Sequence, residues 1–513
     1  MSEALPDRKN RYETEHLFAF FAILVKKIKQ SKAMTRLYRL PIASFLIMGI
    51  SFFSTAFAQP NDENSLRFDP QKCTQKEITL PNGETIHYRA YERIYYVTNI
   101  EGSAYQFLNI YIPDNVDPTD NKTPIFLRTY VGGYMSAAAM EPSKNDATGR
   151  ALQEGYIVCI PGSRGWDAST MTADGKKRFT GRAPATLIDL KAAVRYLRYN
   201  DDLIPGDAEK IITDGTSAGG AMSALLGTTG NHPDYDPYLH RAGAANARDD
   251  IFAAVCFCPI IDLEHADMAY EWMYRPTNGN ERPLSEIQRK ISEELANAYP
   301  DYLNSLNLKK EDGTPLTDKN YLEYIKTFLV ESAQKAKDEQ EDIPENAGII
   351  LMTKKGKETV KDIQIDRYLN YIVSKQALKT PPAFDQQGVS SEQSTPENCL
   401  FGDVSGNSVN FTLYSLRRAT GNPQAKIDPE LQKRIRIMNP MNYVQEPQST
   451  KASYWYIRHG ALDRDTSFPV PINLATLLRN SGYSVDFALP WNRPHTGDYR
   501  LDELFNWIRS ITQ

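Results

Sequence analysis

Cysteine is scarce in this chain: Cys73, Cys159, Cys256, Cys258 and Cys399 are the only five in 513 residues. So few, and an odd number, exclude a disulfide scaffold. Cys256 and Cys258 lie two apart in an apolar run, on one face of an expected strand, and read as buried thiols. A Cys73–Cys399 pair stays open. Histidine is also thin: seven residues, none in an HExxH or other metal spacing, so neither metal nor cofactor is expected. Basic charge is not in excess. Lys and Arg number 59 against 64 Asp and Glu, with no long basic stretch, which argues against nucleic-acid binding. Beyond residue 58 no stretch is apolar for the roughly 20 residues a bilayer span needs. No internal repeat or low-complexity segment is found, and the missing bladed repeat argues against a propeller-bearing peptidase. What is present is ordinary globular composition, 41% hydrophobic and 24% charged, at a length that suits one large domain with an insertion or several small ones.

The N-terminus reads as an export address. Arg36 and Arg39 form a basic start, Ile42 to Phe53 an apolar run, and Ala56-Phe57-Ala58 a small-residue cleavage site. Met34 sits at the natural start of such a signal, which makes residues 1–33 either an extension or a stretch before the true start. Cleavage after Ala58 leaves 455 residues with 50 Lys and Arg against 60 Asp and Glu, and no membrane anchor. The expected location is secreted or periplasmic.

Strands and helices alternate along much of the remainder. Pro124–Tyr130, Tyr156–Ile160, Lys210–Thr213 and Ala253–Ile261 are apolar runs of strand length. Helical spacing recurs at Leu187, Leu190, Val194 and Leu197, and again over Ala221–Leu226. Strands buried on both faces and separated by helices predict a parallel sheet. The rhythm breaks over residues 264–440, which are charged and mostly helical, and it resumes with strands Tyr454–Ile457 and Ser484–Leu489. The expected organisation is therefore a leader (1–58), an α/β core in two parts (59–263 and 441–513), and a lid-like insertion (264–440) between them.

Gly215-Thr216-Ser217-Ala218-Gly219 is the single G-x-S-x-G of the chain. Chance would supply about 0.1 such matches, so its context has to decide. It follows an expected strand and opens an expected helix. Glycines on both sides permit a sharp turn that lifts the Ser217 hydroxyl above the sheet edge. A serine nucleophile needs a base, and the base an orienting acid, here in the order Ser, Asp, His. Asp463 and His495 each follow a late strand, where sites in open parallel sheets collect. His459, in the turn before Asp463, reads as structural. The backbone N–H of Ala218 and one from the Gly132-Gly133 turn are the expected oxyanion donors.

These stretches resemble the bacterial tannase family of the α/β-hydrolase superfamily. The similarity is carried by GTSAGGAMSALLG at 215–227, KTPPAFD at 379–385, ENCLFG at 397–402, HGALDRDTSFPVPINLATLL at 459–478 and YSVDFALPWNRPHTGDYRLDELFNWI at 483–508. It implies an esterase that cleaves galloyl esters and releases gallic acid. It also implies that Ser217, Asp463 and His495 form the triad, and that Asp465, Lys379 and Glu397 bind the ring hydroxyls, with Glu392 as an alternative to Glu397. The chemistry is apt: adjacent phenolic O–H groups donate to carboxylates, and a lysine serves a phenolic oxygen. Asp465 also suits a helix cap before Ser467–Pro469. Fungal tannases and related feruloyl esterases carry a cysteine beside both the serine and the histidine. Thr216 and Pro494 stand there in this chain, so the fungal type is excluded. A feruloyl or general carboxylesterase, and a silent binding protein that kept the fold, remain rival readings. The sequence specifies no oligomeric state.

Overall fold

The structure, a computed structural model, describes residues 63–279, 281–354 and 356–513. The export signal, its Ala58 cleavage site and His16 lie outside the described residues. Pro60–Gln513 form one compact unit.

A nine-stranded sheet runs through this unit. Its strands are β1 (Thr74–Thr79), β2 (Thr85–Tyr95), β3 (Phe107–Pro113), β4 (Pro124–Arg128), β5 (Ile157–Pro161), β6 (Asp207–Thr216), β7 (Ala253–Phe257), β8 (Tyr454–Arg458) and β9 (Ser484–Ala488). Across the sheet they follow the order β1, β2, β3, β5, β4, β6, β7, β8, β9. The first four in that order pair antiparallel. From β5 to β9 every pair is parallel. The apolar strands β5 and β7 are buried along their whole length. Successive residues enter opposite cores: Leu127, Cys159, Ile211, Cys256 and Ile457 on one face, Phe126, Val158, Ile212, Val255 and Tyr456 on the other. That period of two is why these runs had to be apolar throughout.

Two consequences position the site. The order reverses between β4 and β6: the chain leaves β4 toward β5 and leaves β6 toward β7. Such a reversal is the place where open α/β sheets hold ligands, past the carboxyl ends of the strands. The register also brings several strand ends level. Thr216 pairs with Phe257, Phe257 with Arg458, and Arg458 with Ala488. The residues that follow these ends share one rim of the sheet.

Several sequence expectations need correction. The apolar run 253–261 holds a strand only to Phe257, since Pro259 has no N–H to continue a ladder. Cys258 lies beyond it with φ 45°, so Cys256 and Cys258 do not share a strand face. All five cysteines are unpaired; Cys73 is exposed and Cys399 half-buried. The stretch 264–440 contains helices Leu263–Tyr274, Glu286–Ser305, Tyr321–Asp338 and Ile365–Lys375. It also holds an antiparallel hairpin, Ile349–Lys354 with Lys357–Ile363, that helical periodicity did not anticipate. That hairpin is largely exposed and carries only a short apolar run, too little to signal a strand.

Candidate active site

Strand β6 runs straight into helix Ala218–Thr228, with Ser217 at the junction. Ser217 has φ 62° and ψ −123°, a conformation that costs a non-glycine residue about 1–3 kcal/mol. Close packing maintains it. A Cβ on Gly215 would lie 2.3 Å from the Gly219 carbonyl oxygen, and one on Gly220 2.5 Å from that of Phe257. Only glycine fits either place. The helix is buried along its length and presses on β8, where a Cβ on Gly227 would stand 2.5 Å from the Trp455 ring. Such packing leaves the strained turn no room to relax.

His495 and Asp463 come from the two loops after β9 and β8. Ser217 Oγ lies 2.8 Å from His495 Nε2, and His495 Nδ1 lies 2.7 Å from Asp463 Oδ2. The other Asp463 oxygen accepts from the Asp465 amide at 2.8 Å. The two loops are tied together, since the Ala461 and Leu462 amides donate to Pro490 O and Arg493 O at 3.0 and 2.9 Å. A Cβ on Gly460 would lie 2.1 Å from Arg493 O, so that approach also demands glycine. Below the site, buried Arg128 on β4 pairs with Asp214 on β6 and reaches Asp498 at 2.7 Å, anchoring the histidine loop to the sheet.

The electrostatics suit a base and its orienting acid. Burial opposes the charge on Asp463, but His459, together with the hydrogen bond and charge of His495, outweighs it and holds the carboxyl at about 2. Burial likewise opposes charging of His495, while the hydrogen bond and charge of Asp463 raise its pKa above the ordinary histidine value. His495 is thus a stronger base than a free imidazole, and its acid stays ionised at any working pH.

The structure brings the remaining sequence-derived residues to the same rim. Gly132 and Gly133 follow β4. A Cβ on Gly219 would lie 3.0 Å from Val131 O, which sets this turn beside the first turn of the serine helix. Both glycines border open space. Asp465 carboxylate, Asp463 carboxylate and a His495 ring nitrogen offer atoms within 4.8 Å of one another. Asp465 caps nothing: the helix Pro469–Asn480 has Phe468 at its cap position and no side-chain cap bond. Glu397 is buried; desolvation pushes its carboxyl up, and the Lys379 ammonium pulls it back. Asp465 acts on Glu397, and both Asp465 and Lys379 act on His495, so the three charged groups and the base share one neighbourhood. Glu392 is exposed.

Three tyrosines of the stretch 264–440 escaped the sequence reading. Tyr368, Tyr274 and Tyr270 donate to the carbonyls of Ala461, Asp463 and Arg464 at 2.6, 3.1 and 2.8 Å. They hold the acid loop from a segment that lies about 90 to 190 residues away in sequence. His459 is fully buried, with Nδ1 3.4 Å from Asp463 Oδ2 and no hydrogen bond on either ring nitrogen. Cys258 Sγ lies 3.4 Å from Thr496 O and close to His459 and Asp463. An apolar-strand reading concealed Cys258. The close spacing of His459 and Asp463 was the available hint to the other contact.

The BD-FAE family model matches residues 108–301. A curated relative, esterase LipC of Mycobacterium tuberculosis, is 26% identical over 152 residues, which span 30% of this chain and 34% of that protein's length. The crystal structure of tannase from Fusobacterium nucleatum is 39% identical with a TM-score of 0.77, and the match covers 87% of this chain and 99% of that one. The chain belongs to the bacterial tannase family. The tannase of Lactobacillus plantarum is 37% identical over 88% of this chain and 99% of its own, with a TM-score of 0.79. A tannin acyl hydrolase solved in complex with ethyl gallate is 38% identical over the same shares, with a TM-score of 0.78. As a member of the tannase family, the protein is a carboxylic ester hydrolase on the α/β-hydrolase fold.

Proposed function

We propose that this protein hydrolyses galloyl esters of tannins and simple gallates through a galloyl-enzyme on Ser217. The reading is carried by one observation: the hydrogen-bonded line Ser217–His495–Asp463 shares its neighbourhood with Asp465, Lys379 and Glu397. Ser217 Oγ attacks the ester carbonyl while its proton passes to His495 Nε2. Asp463 keeps the ring oriented and stabilises the imidazolium. The N–H groups of Ala218 and of the Gly132-Gly133 turn receive the developing oxyanion. The alcohol leaves with the proton from His495. Water then gives a proton to His495 and attacks the acyl group, freeing gallic acid and restoring Ser217.

Selectivity follows from the charged neighbours. Asp465 and Glu397 accept from ring hydroxyls and Lys379 serves a phenolic oxygen, so an unhydroxylated ring forfeits these hydrogen bonds. In this reading residues 264–440 cover the site and supply Lys379 and Glu397. The chain is exported, with Gln59 as its first mature residue. The test is gallic acid release by purified protein from methyl gallate, with methyl ferulate as the contrast. Hydrolysis of methyl gallate and not of methyl ferulate is expected. Preference for the ferulate ester would replace this reading with a feruloyl esterase.

A further inference from the structure

A cavity of about 400 Å³ opens where 178–185 meets the segment Gly402–Val404, just beyond the helix that carries Glu397. Five arginines line it: Arg164, Arg178, Arg182, Arg241 and Arg434. Two carboxylates, Glu101 and Asp403, face them. Arg164 is committed elsewhere, since it binds buried Asp189 at 2.8 Å and also takes Glu101. Asp403 accepts from the amides of Ser405 and Asn407 and from the Asn407 side chain, within its own turn. Arg182 donates to the backbone carbonyls of Cys399 and Asp403, and Arg434 to that of Gly402. Among the described residues no carboxylate lies in ion-pair distance of Arg182, Arg241 or Arg434. Burial disfavours the charge on Arg182 and on Arg434. Cations so placed gain from an anion that neutralises them.

The rest of the lining narrows that anion. Ile188, Ala183, Pro184 and Ala242 give an apolar wall, Tyr238 adds an aromatic surface, and the Phe179 ring lies 4.6 Å from the Arg182 guanidinium. A guanidinium fork takes a carboxylate bidentately, and its flat face, like Phe179, stacks on a ring. The volume sits near the lower end of small-molecule pockets. We infer that this cavity is a second binding site for a small aromatic carboxylate, distinct from the triad. The acid released in the proposed reaction belongs to that class, and only this link rests on the galloyl reading.

The probe is benzoate, which lacks the ring hydroxyls the triad site selects, titrated calorimetrically into full-length protein whose Ser217 is blocked by a fluorophosphonate. One benzoate per chain should bind, more weakly at high salt. Arg241→Gln should weaken binding about 10-fold or more, with an unchanged thermal midpoint because Arg241 is exposed. A crystal soaked in 4-iodobenzoate should show iodine between Phe179 and Tyr238. Binding that persists undiminished in Arg241→Gln, acetate or phosphate binding as tightly as benzoate, or iodine found only at the triad would each overturn the inference. Absent benzoate binding beside intact gallic acid release would sink this site and leave the proposed function standing. Benzoate binding by a protein inert toward methyl gallate would do the reverse.

Discussion

The sheet and the segment 264–440 hold their parts of the site by different means. On the sheet, position comes mainly from backbone packing, with the Arg128 ion pairs and the tyrosine ties as supports. Ser217, Asp463 and His495 follow strand ends, and Gly215, Gly220 and Gly460 sit where any side chain would strike a carbonyl oxygen within 2.5 Å. In the segment 264–440, position comes from buried polar side chains. Arg282 bridges both oxygens of Glu271 and donates to Lys379 O at 2.6 Å. Asp267 accepts from the amides of Phe384 and Asp385, and Asp385 accepts from Asn398, Asn410, Phe411 and Thr412. This network fixes the chain at Lys379, at Phe384 and Asp385, and at Asn398 beside Glu397. The contrast teaches where change is tolerated. A polar network is tuned residue by residue and can re-specify a substrate, while close backbone packing permits almost no variation around the reacting atoms.

If chemistry belongs to the sheet, Ser217→Ala should cut turnover of every ester about ten-thousandfold or more with the fold intact, measured by gallic acid release and circular dichroism. Near-normal activity would break the assignment. If recognition belongs to the segment 264–440, Lys379→Ala and Glu397→Gln should each lower kcat/KM for methyl gallate about 10- to 150-fold and change methyl benzoate far less. Glu392→Gln should change neither.

The base gives a third test. His495 must be neutral to accept the serine proton, and its pKa is raised by Asp463. Activity should therefore fall as pH drops, with a midpoint above the ordinary histidine value of about 6.5, and by about tenfold per unit beneath it. In Asp463→Asn the residual activity should lose that upward displacement. A wild-type midpoint below the ordinary value would contradict the electrostatic account. The smallest effect concerns the ties between the two regions. Tyr274→Phe and Tyr368→Phe each strip a donor from a buried carbonyl of the acid loop and should cost about 1–3 kcal/mol in urea unfolding. Any loss of activity should touch galloyl and simple esters alike, unlike the clamp variants.

The same contrast explains what the sequence revealed. Strands β4 to β8 were legible because burial on both faces forces apolar runs, the edge strand β9 because it closes the resumed alternation, and Ser217 because a G-x-S-x-G between strand and helix is a local pattern. Asp463 and His495 were legible from chain order and strand ends. The tyrosine ties were not, because Tyr274 and Asp463 are 189 residues apart and leave no period or spacing. The sequence favoured Glu397 with Glu392 as a substitute; in the fold Glu397 is buried beside Lys379 and Glu392 is exposed. Cys258 is the buried free thiol expected, but not on a strand face, because its positive φ belongs to a turn that apolar composition conceals.

Asp465 offers the most direct test, since it stands two residues from the acid and yet belongs to recognition in this account. The measurement is kcat/KM of Asp465→Ala on methyl gallate and on p-nitrophenyl acetate, side by side with wild type. Loss of a charged hydrogen bond to ring hydroxyls predicts a fall of roughly 10- to 150-fold on methyl gallate. It predicts little change on the acetate ester, which never used the contact. An equal fall on both would make Asp465 a support of the triad loop and contradict the division of chemistry from recognition.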